Sequence, residues 1–166
     1  MKVDYPPKSY SLFNDNAPFR FRYPDYGKVV PDTSVNAEPY WYNIVFPVFD
    51  ATIYLSYKKV SNNLDVYVED SRILAYKHTP KAEAIDESIV VRKEVPLYGI
   101  IYDLKGNTAS SLQFFLTDSI HNFLRGSLYF NTVPEKDSLA PIIQFLRQDL
   151  DTMIASFSWH DIPPGK

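Results

Sequence analysis

The chain contains no cysteine. Disulfide frameworks, thiol catalysis and cysteine-ligated metals are therefore excluded. Glycine is scarce, with 5 in 166 residues. None falls in a phosphate-binding glycine loop or a G-x-S-x-G nucleophile turn. No apolar stretch approaches the roughly 20 residues that a membrane-spanning helix requires. Neither sign of charge prevails: 17 basic and 20 acidic residues give a net charge of −3. The basic footprint that nucleic acids require is missing, so no nucleic-acid partner is expected. No run of Lys or Arg suggests a membrane-surface patch. A signal-peptide core is missing too, since Met1 leads directly into Lys2-Val3-Asp4-Tyr5-Pro6-Pro7. Two readings stay open: a cytoplasmic protein, or one whose targeting segment has been removed.

Aromatic residues are abundant instead. Tyr numbers 13, Phe 11 and Trp 2, together 16% of the chain. Tyrosine suits half-buried sheet surfaces and interfaces, because its ring packs while its hydroxyl keeps a polar partner. The length fits one domain with a metal-free core. The reading is an extended N-terminal arm over residues 1–17, a single domain over 18–160 and a tail over 161–166.

Residues 1–50 hold 7 of the 13 prolines, which rules out a long helix there. Phe19-Arg20-Phe21-Arg22-Tyr23 alternates and predicts a short strand. Residues 24–39 read as a long loop. Tyr40 to Phe46 and Ala51 to Tyr57 read as strands, with Tyr40, Tyr42, Ile44 and Phe46 on one face. Then the period changes. Leu64, Tyr67, Val68, Ser71, Leu74, Ala75 and His78 fall on one helical face behind the caps of Ser61-Asn62-Asn63, and Pro80 ends it. Residues 81–86 are ambiguous. Four strands follow at hairpin spacing, near 88–94, 97–104, 109–118 and 122–131, with a tight turn at Gly106-Asn107. The last two are apolar on both faces, so both faces need cover. Leu139, Ile142, Ile143, Leu146, Leu150, Met153, Ile154 and Phe157 form a helical stripe, with Asp137 or Ser138 as cap and Pro141 in the first turn.

The expected fold class is α+β: an antiparallel β-sheet of about six strands flanked by helices on both faces, an α/β/α sandwich. The element order is similar to that of PsbP and Mog1-like proteins, which is an analogy of fold only.

Several irregular stretches carry a more specific likeness. Tyr54-Leu55-Ser56-Tyr57-Lys58, Asn62-Asn63-Leu64, Glu69-Asp70-Ser71-Arg72, Ala75-Tyr76-Lys77-His78 and Gly106-Asn107-Thr108-Ala109-Ser110-Ser111-Leu112-Gln113-Phe114 are among them. The strongest runs from Leu116-Thr117-Asp118-Ser119 through His121-Asn122-Phe123-Leu124-Arg125-Gly126-Ser127-Leu128-Tyr129-Phe130. It continues into Pro134 and Asp137-Ser138-Leu139-Ala140-Pro141. Over roughly residues 18–159 the chain resembles the gliding-motility lipoprotein GldD family. The resemblance implies a bacterial envelope lipoprotein that serves gliding alongside the type IX secretion apparatus. It implies a periplasmic location, a membrane tether through an N-terminal lipid anchor, and other gliding or secretion envelope proteins as partners. The signal peptide and acylated cysteine it also implies are not in this chain, so the sequence is expected to start after them. Some family members carry cysteine near the positions of Ala17 and Tyr40. This chain does not, and no disulfide is carried over. The resemblance supplies no catalytic residues and no cofactor.

His78, His121 and His160 are the only histidines, and no pair has metal-ligand spacing. His78 on the inward helical stripe reads most plainly as a packed, hydrogen-bonded core histidine. His121 beside Asp118 and Ser119 reads as turn hydrogen bonding, since the members of a catalytic triad converge from separate elements. Arg125 and Asp118 are expected on neighbouring strands. A guanidinium on a covered face needs a partner, so an Arg–carboxylate pair is the plain reading and an anion site the functional one. Asp65, Glu69, Asp70, Asp86 and Glu87 read as solvated charges rather than a hydrolytic pair. Tyr40, Trp41 and Tyr42 either cap the sheet or form a protein-binding hot spot or sugar-stacking surface.

The leading expectation is thus a non-enzymatic envelope component acting through protein contacts, without metal or cofactor. A small-ligand or glycan module with an aromatic cleft near Arg125 is the first alternative. An unrecognised hydrolase using His78 or His121 with Asp118 is the second. A sheet bare on one side, or an open cavity gathering His, Asp and Arg, would favour an enzyme.

Overall fold

The computed structural model describes residues 4–77, 82–106, 108–131 and 136–161. The expected sites at His78, Pro80, Asn107 and the tail beyond Asp161 lie outside the described residues. Among these residues ten strands and two α-helices form in this order: β1 Tyr10–Phe13, β2 Phe19–Pro24, β3 Lys28–Pro31, β4 Tyr42–Phe46, β5 Ala51–Lys59, α1 Leu64–Tyr76, β6 Ala82–Arg92, β7 Leu97–Gly106, β8 Leu112–Thr117, β9 Asn122–Phe130, α2 Lys136–Ser156 and β10 Ser158–Trp159. Strands β3-β4-β5-β9-β8-β7-β6 make one sheet, and β1-β2-β10 a second. Every pairing is antiparallel.

The expected sheet of about six strands is therefore seven strands plus a separate three-stranded sheet. Two local readings explain the difference. The loop expected over 24–39 contains β3, whose four residues pair with β4. The strand expected at Phe19–Tyr23 does form, but it joins the second sheet and pairs with Tyr10–Phe13 of the N-terminal arm.

Alternation sorts the core into two layers. Leu112, Phe114 and Leu116 of β8 pack in the larger cluster with Ile44, Leu55, Leu124 and Leu128. The α2 residues Ile142, Leu146, Leu150, Met153 and Ile154 close that layer, together with Phe19 and Phe21 of the second sheet. Leu146 is fully buried, and a leucine so placed contributes about 1.5–3 kcal/mol. Phe115 and Phe123 face the other way and pack with Tyr102, Leu104 and Ala75. Leu64, Tyr67 and Val68 of α1 lie against this smaller cluster.

Flanking by helices on both faces is thus true only in part. On the first face α2 shares the cover with the β1-β2-β10 sheet. On the second face α1 packs over Phe115, Phe123, Tyr102 and Leu104 and reaches Ile85 and Glu87 near the start of β6. Beyond that cluster the face carries polar residues, including Thr52, Gln113 and Ser127, which are nonetheless buried.

Two details of the helices also differ from expectation. Asn63 stands at the N-cap of α1 without a capping bond, because its Oδ1 accepts the Ser61 N–H at 2.8 Å instead. Helix α2 starts at Lys136, which puts Asp137 and Ser138 inside its first turn and Pro141 beyond it. Pro141 has no N–H to donate to the preceding turn.

Candidate functional site

The end of the sheet where β5 finishes and β9 begins opens into a cleft of about 720 Å³. That volume lies within the range of small-ligand sites, about 300–1,000 Å³. Tyr57 and Lys59 enter it from β5, Asn122 from β9, and His121 from the turn between β8 and β9. Glu38 and Tyr40 come from the segment before β4, Trp159 from the C-terminal strand β10 and His160 from just after it.

The turn at its base is built by Asp118. Asp118 Oδ1 accepts the backbone N–H groups of Ile120, His121 and Asn122 at 2.8–2.9 Å. Its Oδ2 accepts the Asn122 side-chain amide at 2.8 Å. Burial pushes this carboxyl up, but the three backbone donors and the amide outweigh it and hold it below the usual carboxylate range. Ser119 takes a positive φ of 76° to close the turn. Asn122 in turn accepts the Tyr57 hydroxyl. Burial, aided by Asp118 and Tyr40, pushes the Tyr57 phenol up to about 12, so it stays a donor.

Tyr40 stands at the mouth with φ of 68°, a left-handed conformation unusual for a bulky side chain. It is held edge-on to Tyr57, with ring centroids 5.8 Å apart. The next residue fixes the segment, since Trp41 Nε1 donates to the Tyr57 carbonyl at 2.9 Å. Opposite, Trp159 Nε1 donates to the Pro96 carbonyl at 3.0 Å. His160 Nε2 and Ser158 Oγ are hydrogen bonded at 2.7 Å. Burial, then the Arg20 charge, lowers the His160 pKa below its ordinary value.

Of the residues singled out from sequence, Tyr40 and Asp118 meet in this cleft. Trp41 supports it from behind. Tyr42 does not belong to any surface: it is buried against Phe13 and Phe19 at centroid distances of 4.9 and 6.0 Å. Arg125 is on the other side of the sheet, because its neighbour Leu124 is the one opposite Tyr57. The aromatic cleft expected near Arg125 exists, but away from Arg125.

The expected Arg125–carboxylate pair is also absent among the described residues. Arg125 Nη2 donates to the Gln113 side-chain oxygen at 2.8 Å. Burial lowers the guanidinium pKa, with a small opposing effect from Tyr129. Asp118 cannot be its partner, since the turn has taken both carboxylate oxygens.

The cleft does gather two histidines and two aspartates, but no arginine. Among the described residues no hydrogen bond joins Asp118 to a histidine ring. Asp118 holds His121 by its backbone N–H rather than by its ring. No group of three or more His, Asp or Glu among the described residues is placed to hold a metal. No helix among them is long and apolar enough to cross a membrane. The arrangement suits binding: three rings for stacking, ringed by Glu38, Lys59, His121 and Asn122.

Trp159 and Lys59 were missed in the sequence reading. Trp159 reaches the cleft only because β10 pairs with β2, Trp159 opposite Phe19. No local pattern announces a two-residue strand joined across the whole chain.

A second surface lies at the sheet edge. Strand β6 has eleven residues and, among the described residues, pairs on one side only, with β7. Near its start Ile85 packs toward α1, and Glu87 accepts the Tyr76 hydroxyl at 2.6 Å. Further along, Ile89 and Val91 are 79% and 53% exposed. The opposite edge, β3, has four residues and ends in Pro31, which blunts it.

Comparison with known proteins accords with this architecture. The solution structure of cyanobacterial PsbP (CyanoP) from Synechocystis sp. PCC 6803 superposes with a TM-score of 0.57. The match covers 93% of this chain and 95% of that one at 13% identity, which establishes a PsbP-like fold and nothing about activity. No curated protein matches the chain in sequence. The family described as gliding motility lipoprotein GldD matches residues 1–159, nearly the full length. The chain therefore belongs to the GldD family of gliding-motility lipoproteins, proteins of the cell envelope anchored by lipid.

Proposed function

We propose that this protein is a non-enzymatic part of the gliding machinery that works by holding another envelope protein on the periplasmic side. The partner is a component of the gliding or type IX secretion apparatus. The open edge of β6 carries this reading. A strand of eleven residues paired along one edge offers the backbone N–H and C=O groups of its other edge to a partner strand. Ile89 and Val91 beside it supply the apolar contact that such pairing requires.

The double substitution Ile89→Lys, Val91→Lys tests the reading. Both positions are exposed, so stability should change by only about 0.5 kcal/mol per site. Gliding should fail in cells carrying the variant, and cross-linking through a photoreactive residue at Ser88 should no longer capture the envelope partner. Normal gliding by the folded double variant would sink the proposal.

The cleft favours a second reading, in which Tyr40, Tyr57 and Trp159 stack on a sugar ring while Asn122 and His121 bond its hydroxyls. Both tryptophans flank the cleft, so their fluorescence reports occupancy. Titration with neutral and acidic oligosaccharides should give a saturable change that Trp159→Ala weakens by about tenfold. A flat response to every oligosaccharide removes this reading without touching the first.

A further inference from the structure

We propose that Arg125 and Gln113 form a binding site for a single carboxylate group on the sheet face opposite the cleft. The register places them together. Arg125 lies between Phe115 and Ser56 in one cross-strand row, and Gln113 lies beside Ser127 and Tyr54 in the next. All of these side chains share one face, because strand residues two apart project the same way.

Two independent features point to a missing acceptor. Arg125 carries five N–H donors, and among the described residues its one hydrogen bond goes to the neutral oxygen of Gln113. No described acidic residue pairs with it. Gln113 is 2% exposed, and its Nε2 has no hydrogen-bond partner. The bond from Arg125 fixes the amide orientation, so rotating the amide cannot remove the orphan donor. A buried donor left without an acceptor costs about 1–3 kcal/mol. A carboxylate seated on the Arg125 fork would satisfy both groups once a side-chain movement admits its oxygen to Gln113 Nε2, which is closed to solvent without it.

The chemistry selects the ligand class. A guanidinium fork matches the two oxygens of a carboxylate. A doubly charged phosphate or sulfate calls for a second cation. Of the other strand lysines described on this face, Lys28 is three strands away in β3, and Lys58 is already paired with Glu38 and lies against Trp41. Tyr54 of β5 and Tyr129 of β9, edge to face at 5.9 Å, stand on the same sheet face. The carboxylate belongs either to a small free acid or to an acidic side chain of a partner.

The test follows the Arg125 Nε–Hε signal by NMR in the full chain. Acetate and a capped Gly-Glu-Gly peptide are titrated at constant ionic strength against chloride. Either carboxylate probe should give a saturable shift that chloride does not. Tighter binding of acetate identifies a small acid, and tighter binding of the peptide identifies a protein side chain. Arg125→Lys keeps the charge but loses the fork, and acetate affinity, read there from backbone signals of Gln113 and Ser127, should fall about tenfold. Gln113→Met removes the orphan donor and should weaken acetate binding while the fold is kept. A shift equal to that with chloride, or equal acetate affinity in Arg125→Lys, overturns the site.

Discussion

Replacing Asp149 with Ala should lower the unfolding free energy by about 3–5 kcal/mol, the range for an opened buried ion pair. Asp149 sits on α2 and is 3% exposed. Its Oδ1 accepts Lys8 Nζ at 2.8 Å and the Tyr10 hydroxyl at 2.7 Å. Its Oδ2 accepts the Tyr26 hydroxyl. Lys8 is held further by the Phe145 carbonyl at 3.1 Å and lies 3.5 Å from the centre of the Phe145 ring. Tyr5 packs on the same ring at 4.7 Å.

One carboxylate therefore ties three parts of the N-terminal region to the last helix. Burial, then the hydrogen bond and charge of Asp149, raises the Tyr26 pKa, so the hydroxyl remains a donor at any physiological pH. Removal of the carboxylate leaves an ammonium against a phenyl ring and two hydroxyls without their acceptor. Chemical denaturation gives the loss directly, and the thermal midpoint should fall by roughly 6–20 °C. Proteolysis should at the same time reach the segment before Tyr10. Lys8→Met should cost less, because Asp149 then keeps two hydroxyl donors. A loss below about 1 kcal/mol for Asp149→Ala would mean that water replaces these bonds freely.

Gly99→Ala should be nearly as severe, at about 3 kcal/mol, the upper range for overpacking. Gly99 lies in β7, opposite Val90 on one side and Leu116 on the other. A methyl group there would come within 2.0 Å of the Phe115 carbonyl oxygen and 3.2 Å of Leu116 Cδ2. The obstacle is backbone, and every residue of β8 is buried, so the strand has nowhere to retreat. Gly126→Ala offers the comparison. Its methyl would meet the Phe114 ring at 2.2 Å, and a ring can tilt. Its cost should be smaller, about 1–3 kcal/mol. Denaturant midpoints at equal m-values check the order. A folded Gly99→Ala protein within about 0.5 kcal/mol of wild type contradicts the close approach of β7 to β8.

The strands of the middle sheet were legible because their alternation is strong. Leu112, Phe114 and Leu116 face one cluster and Phe115 the other, as their spacing predicts. The α2 stripe was equally clear from Leu146, Leu150 and Met153. The rule does not extend to β6. Ile89, Val90 and Val91 are apolar on both faces, which predicts cover on both. Only Val90 is buried, because β6 is the edge strand and α1 does not reach its far end. A run of apolar residues records what a strand tolerates, and pairing order decides what covers it. Strand β3 was hidden for a related reason: four residues ending in Pro31 carry too little pattern, and β4 supplies the pairing.

The cleft was half legible. Asp118, Ser119 and His121 announce a turn through their short polar side chains, and the turn is there. Tyr40 was singled out as a ring of interest, yet its place at the mouth depends on a left-handed backbone that sequence spacing does not reveal. Arg125 was recognised as a charge in need of a partner. That the partner is an amide, and that the amide keeps a free donor, emerged only when β8 was set beside β9.

From its residues alone this chain had to be an aromatic-rich α+β domain with a largely antiparallel sheet and an amphipathic closing helix. Periodicity acts over a few residues, and helix and strand faces follow from it. Which strand ends up at the edge, which side of the sheet Arg125 shares with Gln113, and how Trp159 comes to face Tyr40 were left to the tertiary structure. Those placements arise from contacts between segments tens to more than a hundred residues apart, and no local pattern encodes them.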